Sequence, residues 1–169
     1  MADRTGPKAR LRWLRSYRLY IDTSVFGALF DDEDPDRVTL TGTVLRRLRV
    51  APFEAFIGTP VLEEISIAPL RLRVALERHV KSLSPTLIEE GPASLRLADA
   101  YMAARLVPLR KRNDARHIAI ATVADLDAIV SWNFRDMVNL KKKSIVHSVN
   151  VKFGYRLIDI ISPPEVPNE

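Results

Sequence analysis

Acidic and polar side chains stand where short apolar runs of this sequence end. Asp22 directly follows the apolar run 19–21, and Ser131 closes a second run, with Asn133 and Asp136 shortly beyond it. If both runs are parallel β-strands, their carboxyl ends lie at one edge of a sheet, which is where ligands bind in such folds. The spacing therefore predicts that these side chains share a crevice.

Two further segments bring acids toward the same edge. Asp114 opens a helical segment that leads into the second run, and Glu63 and Glu64 lie on a short helix that follows another strand. Clustered carboxylates repel and raise one another's pKa, and a divalent cation removes that conflict. Oxygen ligands without histidine or cysteine suit Mg²⁺ or Mn²⁺ better than Zn²⁺. A cation held in this way activates a water molecule and neutralises a phosphodiester, so the predicted chemistry is phosphodiester hydrolysis.

Each acid also has an ordinary structural interpretation. Asp22 is placed to cap the helix after it, and Asp114 is placed to balance the dipole of its own helix. Asp136 and the glutamates are interpreted equally well as solvent-exposed helix residues. His117 lies three residues after Asp114, so it is either a structural residue or a substrate contact on the same side. The predicted site therefore depends on all four segments together.

Short apolar strands alternate with amphipathic helices along the chain. The predicted strands are residues 19–21, 53–58, 86–88, 128–131 and 157–161. The predicted helices are residues 38–50, 61–66, 70–83, 92–106, 113–126 and 133–140, followed by an exposed turn at 141–143. This alternation indicates an α/β fold with a parallel sheet covered on both faces. We find no repeat or linker, which indicates a single domain.

The composition is that of a soluble globular protein and argues against several kinds of site. Apolar residues make up 47% and charged residues 28% of the chain, enough for a hydrophobic core. No apolar run reaches the roughly 18 residues of a membrane-spanning helix. The chain has no cysteine, which excludes disulfides and thiolate metal sites and suits a reducing cytoplasm. The GxGxxG and P-loop motifs of nucleotide sites do not occur.

The positive charge is concentrated at the N-terminus. The net charge is +5, and residues 1–18 hold six lysines and arginines against one aspartate, so the remainder is balanced. We expect residues 1–17 to form a basic arm attached to a nearly neutral domain of residues 18–169. Such an arm binds phosphates without sequence preference, or is a solvated tail or an extension from an upstream start codon.

Four short motifs occur in order along the chain: LYIDTSV at 19–25, VLEEI at 61–65, NDARHIAIA at 113–121 and VSWNFRD at 130–136. Together they resemble the motifs of the PIN domain, the nuclease fold of VapC-type toxins. The likeness covers roughly residues 18–166 and is greatest to a bacterial branch with Ser-Trp-Asn in the last motif and a Pro-Pro-Glu-Val-like ending. That branch often has histidine where this chain has Asp136. Glu64, rather than Glu63, aligns with the second acid of the family, because an apolar residue follows Glu64.

The resemblance implies a three-layer α/β/α sandwich with a mostly parallel central sheet and a Mg²⁺-dependent endoribonuclease. The implied catalytic residues are Asp22, Glu64, Asp114 and Asp136. The implied ligands of Mg²⁺ or Mn²⁺ are Asp22, Asp114 and Asp136. The expected substrate-binding residues are Ser24, Ser131 and Asn133. RNA is the expected substrate, with a cognate antitoxin and a homodimer as expected partners; the alternative is a PIN-fold protein that binds RNA or a partner with weak or no cleavage.

Overall fold

The computed structural model describes residues 16–168. The strands in that range are β1 (Tyr17–Ile21), β2 (Phe53–Gly58), β3 (Thr86–Ile88), β4 (Ala128–Val130) and β5 (Asp159–Ile161). The α-helices are α1 (Thr23–Gly27), α2 (Pro35–Arg47), α3 (Thr59–Ser66), α4 (Leu70–Leu83), α5 (Pro92–Ala103), α6 (Arg112–Val123) and α7 (Leu140–Phe153). None of these helices is long and apolar enough to cross a membrane.

The five strands form one sheet in the order β3-β2-β1-β4-β5, and every neighbouring pair is parallel. With the helices against it, the sheet forms a three-layer α/β/α sandwich, which confirms the predicted fold class. Parallel strands covered on both faces are apolar on both sides. Accordingly, Leu19, Tyr20 and Ile21 in β1 and all three residues of β4 are buried. Strands β1 and β4 therefore lie in the hydrophobic core.

The register of the central strands sets the position of the predicted site. Ile21 pairs with Val130 at the carboxyl ends of β1 and β4. The backbone N–H of Asp22 donates to the carbonyl of Val130 at 3.1 Å, and the N–H of Ser131 donates to the carbonyl of Ile161 at 2.9 Å. Asp22 and Ser131 therefore leave the sheet side by side.

The helix predicted for residues 133–140 and the exposed turn predicted for 141–143 are wrong. Residues 134–137 form a turn, and α7 begins at Leu140. The cap is Asn139, whose side-chain oxygen accepts from the N–H of Lys142. The side chain of Asn133 accepts from the N–H of Asp136 and so resembles a helix cap without starting a helix. The predicted helix start at residue 133 is therefore seven residues too early.

Other boundaries were predicted more closely. The predicted elements 53–58, 70–83 and 86–88 are confirmed without a shift, and β3 lies at the edge of the sheet. Helices α5 and α6 end three residues earlier than predicted, and each is followed by a residue with positive φ, Arg105 at 57° and Asp125 at 55°. Most of the predicted basic arm, residues 1–15, lies outside the described residues, and Tyr17 already belongs to β1.

Candidate functional site

Asp22 lies at the centre of the predicted crevice and is held by two hydroxyl groups. It occupies the cap position of α1 but makes no side-chain capping hydrogen bond. Its Oδ2 instead accepts from the Oγ of Ser24 at 2.5 Å and from the Oγ of Ser131 at 2.7 Å. The side chain is buried, so these hydroxyls fix its orientation. The capping interpretation of Asp22 therefore does not describe what its carboxylate does.

The predicted substrate-binding residues belong to a hydrogen-bonded chain within the protein. The N–H of Asn133 donates to the Oγ of Ser131 at 3.0 Å, and the side chain of Asn133 accepts from the N–H of Asp136 at 3.0 Å. Together with Ser24, these residues connect Asp22 to the loop that carries Asp136. Asp136 is buried, which excludes the interpretation of a solvent-exposed acid. Contact of the three residues with a substrate stays a prediction.

Asp114 has the most unfavourable surroundings of the predicted acids. It is half-buried in the first turn of α6, and its Oδ2 is buried without a hydrogen-bond partner in the described part of the chain. Burial, and then the negative charge of Asp22, raise the pKa of Asp114 to about 6, although Lys111 opposes this. An acid that served only to balance a helix dipole would be stabilised when it ionised. Here ionisation is disfavoured.

The structure separates the two adjacent glutamates of α3. Glu63 is exposed and pairs with Arg116 of α6, with 2.6 Å between Oε2 and Nη1. Glu64 turns to the crevice, where its Oε1 accepts from the Nδ2 of Asn113 at 3.1 Å. Helix α6 begins at Arg112, one residue before the predicted start, and the side chain of Asn113 positions Glu64. Of the two glutamates, Glu64 therefore lies with the predicted acids.

His117 is a site residue that the sequence indicated only through its spacing. It is fully buried, and its Nε2 lies 3.3 Å from Oε2 of Glu64 and 3.5 Å from Oδ1 of Asp22. Its Nδ1 lies 2.8 Å from the hydroxyl of Tyr20. Burial alone lowers the pKa of His117, but the hydrogen bond with Glu64 and the charge of Asp22 outweigh it and raise the pKa. In the sequence, only the spacing of three residues from Asp114 indicated that His117 lies on the same side of the helix.

The residues present fit a divalent cation. Burial and the neighbouring charges of Asp22 and Asp136 oppose ionisation of Asp114. A cation beside that carboxylate would supply its missing partner and favour its ionised form. Separately, single ligand atoms of Asp22, Glu64 and His117 all lie within 4.8 Å of one another.

Comparison with protein-family models gave no match, and no curated protein matches the chain.

Proposed function

We propose that the protein is a metal-dependent endoribonuclease that hydrolyses RNA phosphodiester bonds with Mg²⁺ or Mn²⁺. The observation that supports this most strongly is Asp114, a carboxylate with a buried, unpartnered oxygen and a pKa of about 6. Asp22 and Asp136 add to the unfavourable charge around it. Such a site lowers the stability of the metal-free protein, and a bound cation reverses the effect.

The proposal assigns three of the four acids to the cation. Asp22, Asp114 and Asp136 would hold it, and when bound it would supply an activated water and neutralise the charge of the phosphodiester. The hydroxyls of Ser24 and Ser131 keep Asp22 in one orientation, so little rearrangement is needed on binding. Orientation of this kind is how supporting hydrogen bonds raise the affinity of metal sites.

Positive charge at the rim of the site supports an anionic substrate. The Nζ of Lys111 lies 3.8 Å from Oδ2 of Asp136, and the Lys111 side chain is about half exposed. Its ammonium group is therefore reachable from solvent and lies next to a proposed metal ligand. A phosphodiester entering the crevice would meet this charge together with the cation. We propose that Lys111 contacts the phosphate backbone beside the scissile bond.

Cleavage of a labelled single-stranded RNA by the full chain tests the proposal. We expect activity with Mg²⁺ or Mn²⁺, loss of activity with EDTA, and a decrease of at least about a hundredfold in Asp114→Asn, since metal catalysis supplies several kcal/mol. Asp36→Asn is the matched control, because Asp36 is also a first-turn helix acid but is exposed. Undiminished cleavage by Asp114→Asn contradicts the proposal. RNA binding without cleavage under any cation would favour the alternative of a binding protein.

The proposed cellular role, supported by the resemblance to VapC-type proteins, is the toxin of a type II toxin–antitoxin pair. Induced expression in a bacterial host should arrest growth, and Asp114→Asn should not. Co-expression of the protein encoded in the adjacent reading frame should relieve the arrest. Equal arrest by both forms of the chain would mean that growth inhibition does not come from catalysis.

A further inference from the structure

His117 and two carboxylates form a compact group at the inner end of the crevice. The Nε2 of His117 lies 3.3 Å from Oε2 of Glu64 and 3.5 Å from Oδ1 of Asp22. Among ion pairs formed between residues 16–168, His117 is the only basic partner of Asp22 and of Glu64. Since no lysine or arginine in that range neutralises the two acids, the group can accept a further positive charge.

Each of the three side chains is oriented by a separate hydrogen bond on its far side. Oδ2 of Asp22 is held by the hydroxyls described above, which leaves Oδ1 toward His117. Oε1 of Glu64 is held by Asn113, which leaves Oε2 toward His117. The Nδ1 of His117 faces the hydroxyl of Tyr20, which leaves Nε2 toward both carboxylates. Metal ligands in proteins are oriented in this way, by partners on the atom that does not bind the metal.

The backbone of β2 helps to fix the histidine. The hydroxyl of Tyr20 approaches Gly58 so closely that a Cβ there would lie 2.6 Å from it. Tyr20 and His117 are fully buried, so neither ring can turn away into solvent. The imidazole nitrogen therefore faces the carboxylates because of packing from β1, β2 and α6.

The two distances from Nε2 of His117 are close to those between ligands of one small divalent ion. Ligand atoms about 2.1 Å from a metal and about 90–110° apart lie about 3.0–3.4 Å from one another. The distance of 3.3 Å from Nε2 to Glu64 lies within this range and the distance of 3.5 Å to Asp22 lies just above it, and all three ligand atoms lie within 4.8 Å of one another. An imidazole nitrogen favours first-row transition ions, whereas Mg²⁺ takes oxygen ligands and keeps its water.

We propose that Asp22, Glu64 and His117 form a metal subsite with an imidazole nitrogen as ligand, which binds a divalent transition ion such as Mn²⁺ more tightly than Mg²⁺. The proposal deepens the proposed function and rests on it only for the use of this crevice in catalysis. It differs from the oxygen-only ligand set of Asp22, Asp114 and Asp136 by including His117, and Asp22 is common to both.

The first test uses the full chain, stripped of metal with EDTA and titrated with Mn²⁺ alone. Electron spin-echo spectroscopy of the bound Mn²⁺ should show coupling to an imidazole nitrogen. In competition, Mg²⁺ should displace Mn²⁺ only at a free concentration about tenfold or more above that of Mn²⁺. Absence of the nitrogen coupling, or equal affinity for the two ions, would overturn the proposal. This result is read from the wild-type protein and does not depend on whether a variant folds.

The second test substitutes the histidine. His117→Gln should lose the nitrogen coupling and bind Mn²⁺ about tenfold or more weakly, while its Mg²⁺ affinity changes by less than about threefold. His79→Gln is the control, because His79 contacts Phe30 on another part of the fold and should leave both affinities unchanged. Equal loss of both ions in His117→Gln would overturn the proposal, since it would show a structural rather than a ligand role.

RNA cleavage measured on the same samples separates this proposal from the proposed function. Nitrogen coupling without cleavage under any cation would support the metal subsite and contradict the proposed nuclease activity. Cleavage with Mg²⁺ or Mn²⁺ but without nitrogen coupling would contradict the metal subsite and support the proposed nuclease activity.

Discussion

Asp114→Asn should stabilise the metal-free protein at neutral pH. The folded state raises the pKa of Asp114 to about 6 through burial and the charge of Asp22. An unfolded chain has an aspartate pKa of about 3.9. Ionising Asp114 therefore costs more free energy in the folded protein than in the unfolded chain. Asparagine carries no charge and avoids this cost.

The size and pH range of the effect follow from the pKa difference. Two pKa units correspond to about 3 kcal/mol, and screening of this half-buried side chain by water reduces the expected gain to about 1–2 kcal/mol. Between about pH 4 and pH 6 the folded state binds more protons than the unfolded state, so wild-type stability falls as pH rises. Below about pH 4 both states are protonated and the penalty is absent. The gain should therefore appear above about pH 4 and be complete above about pH 6.

Urea denaturation of both proteins in EDTA, from pH 4 to pH 8, measures this difference. Asp36→Asn again serves as the control, because it removes a first-turn acid that is exposed on α2. We expect that change to cost a few tenths of a kcal/mol at neutral pH, through loss of a favourable helix-dipole interaction. The pKa of His117 is also raised, and Glu64 and Asp22 contribute more to that rise than Asp114 does.

Two results would refute this reasoning. The first is a stability difference between wild type and Asp114→Asn that does not change between pH 4 and pH 8. The second is destabilisation of Asp114→Asn at pH 8 similar to that of Asp36→Asn, which would mean that Asp114 is an ordinary dipole-balancing residue.

Three further predictions concern metal and the packing around the site. Saturating Mg²⁺ or Mn²⁺ should stabilise the wild type, by about 2.7 kcal/mol at a hundredfold excess over the dissociation constant, and calorimetry would measure the shift in Tm. Ser131→Ala should cost about 1–3 kcal/mol in urea denaturation and weaken metal binding about tenfold, because it removes a donor to Asp22. Gly58→Ala should cost about 1–3 kcal/mol, since the new Cβ would lie 2.6 Å from the hydroxyl of Tyr20, whereas Gly27→Ala, with open space around its Cβ position, should not destabilise the protein.

Features set by local sequence were predicted well. An apolar run followed by a polar residue was sufficient to place Asp22 at the end of β1 and Ser131 after β4. The rule that parallel strands present their carboxyl ends at one edge then brought these two residues together, as the register confirms. The helix 70–83 was predicted correctly because its apolar residues repeat at helical spacing.

Features that depend on distant segments were not predicted. The start of α7 at Leu140 depends on the packing of the preceding loop, in which its cap Asn139 also donates to the carbonyls of Phe134 and Arg135. The role of Asn113 depends on where α3 places Glu64, which is 49 residues away. No local pattern carries that information, because the partner is chosen by the tertiary fold.

Asp22 belongs to both proposed ligand sets, so its substitution cannot distinguish between them. One of its oxygens is held by two hydroxyls while the other faces His117, and its charge also raises the pKa of Asp114. Replacing Asp22 therefore perturbs the proposed oxygen-only ligand set and the proposed histidine subsite at once. Asp114 and His117 are instead specific to one set each. Their separate effects on Mg²⁺ and Mn²⁺ binding distinguish one shared cation from two different ligand sets in the same crevice.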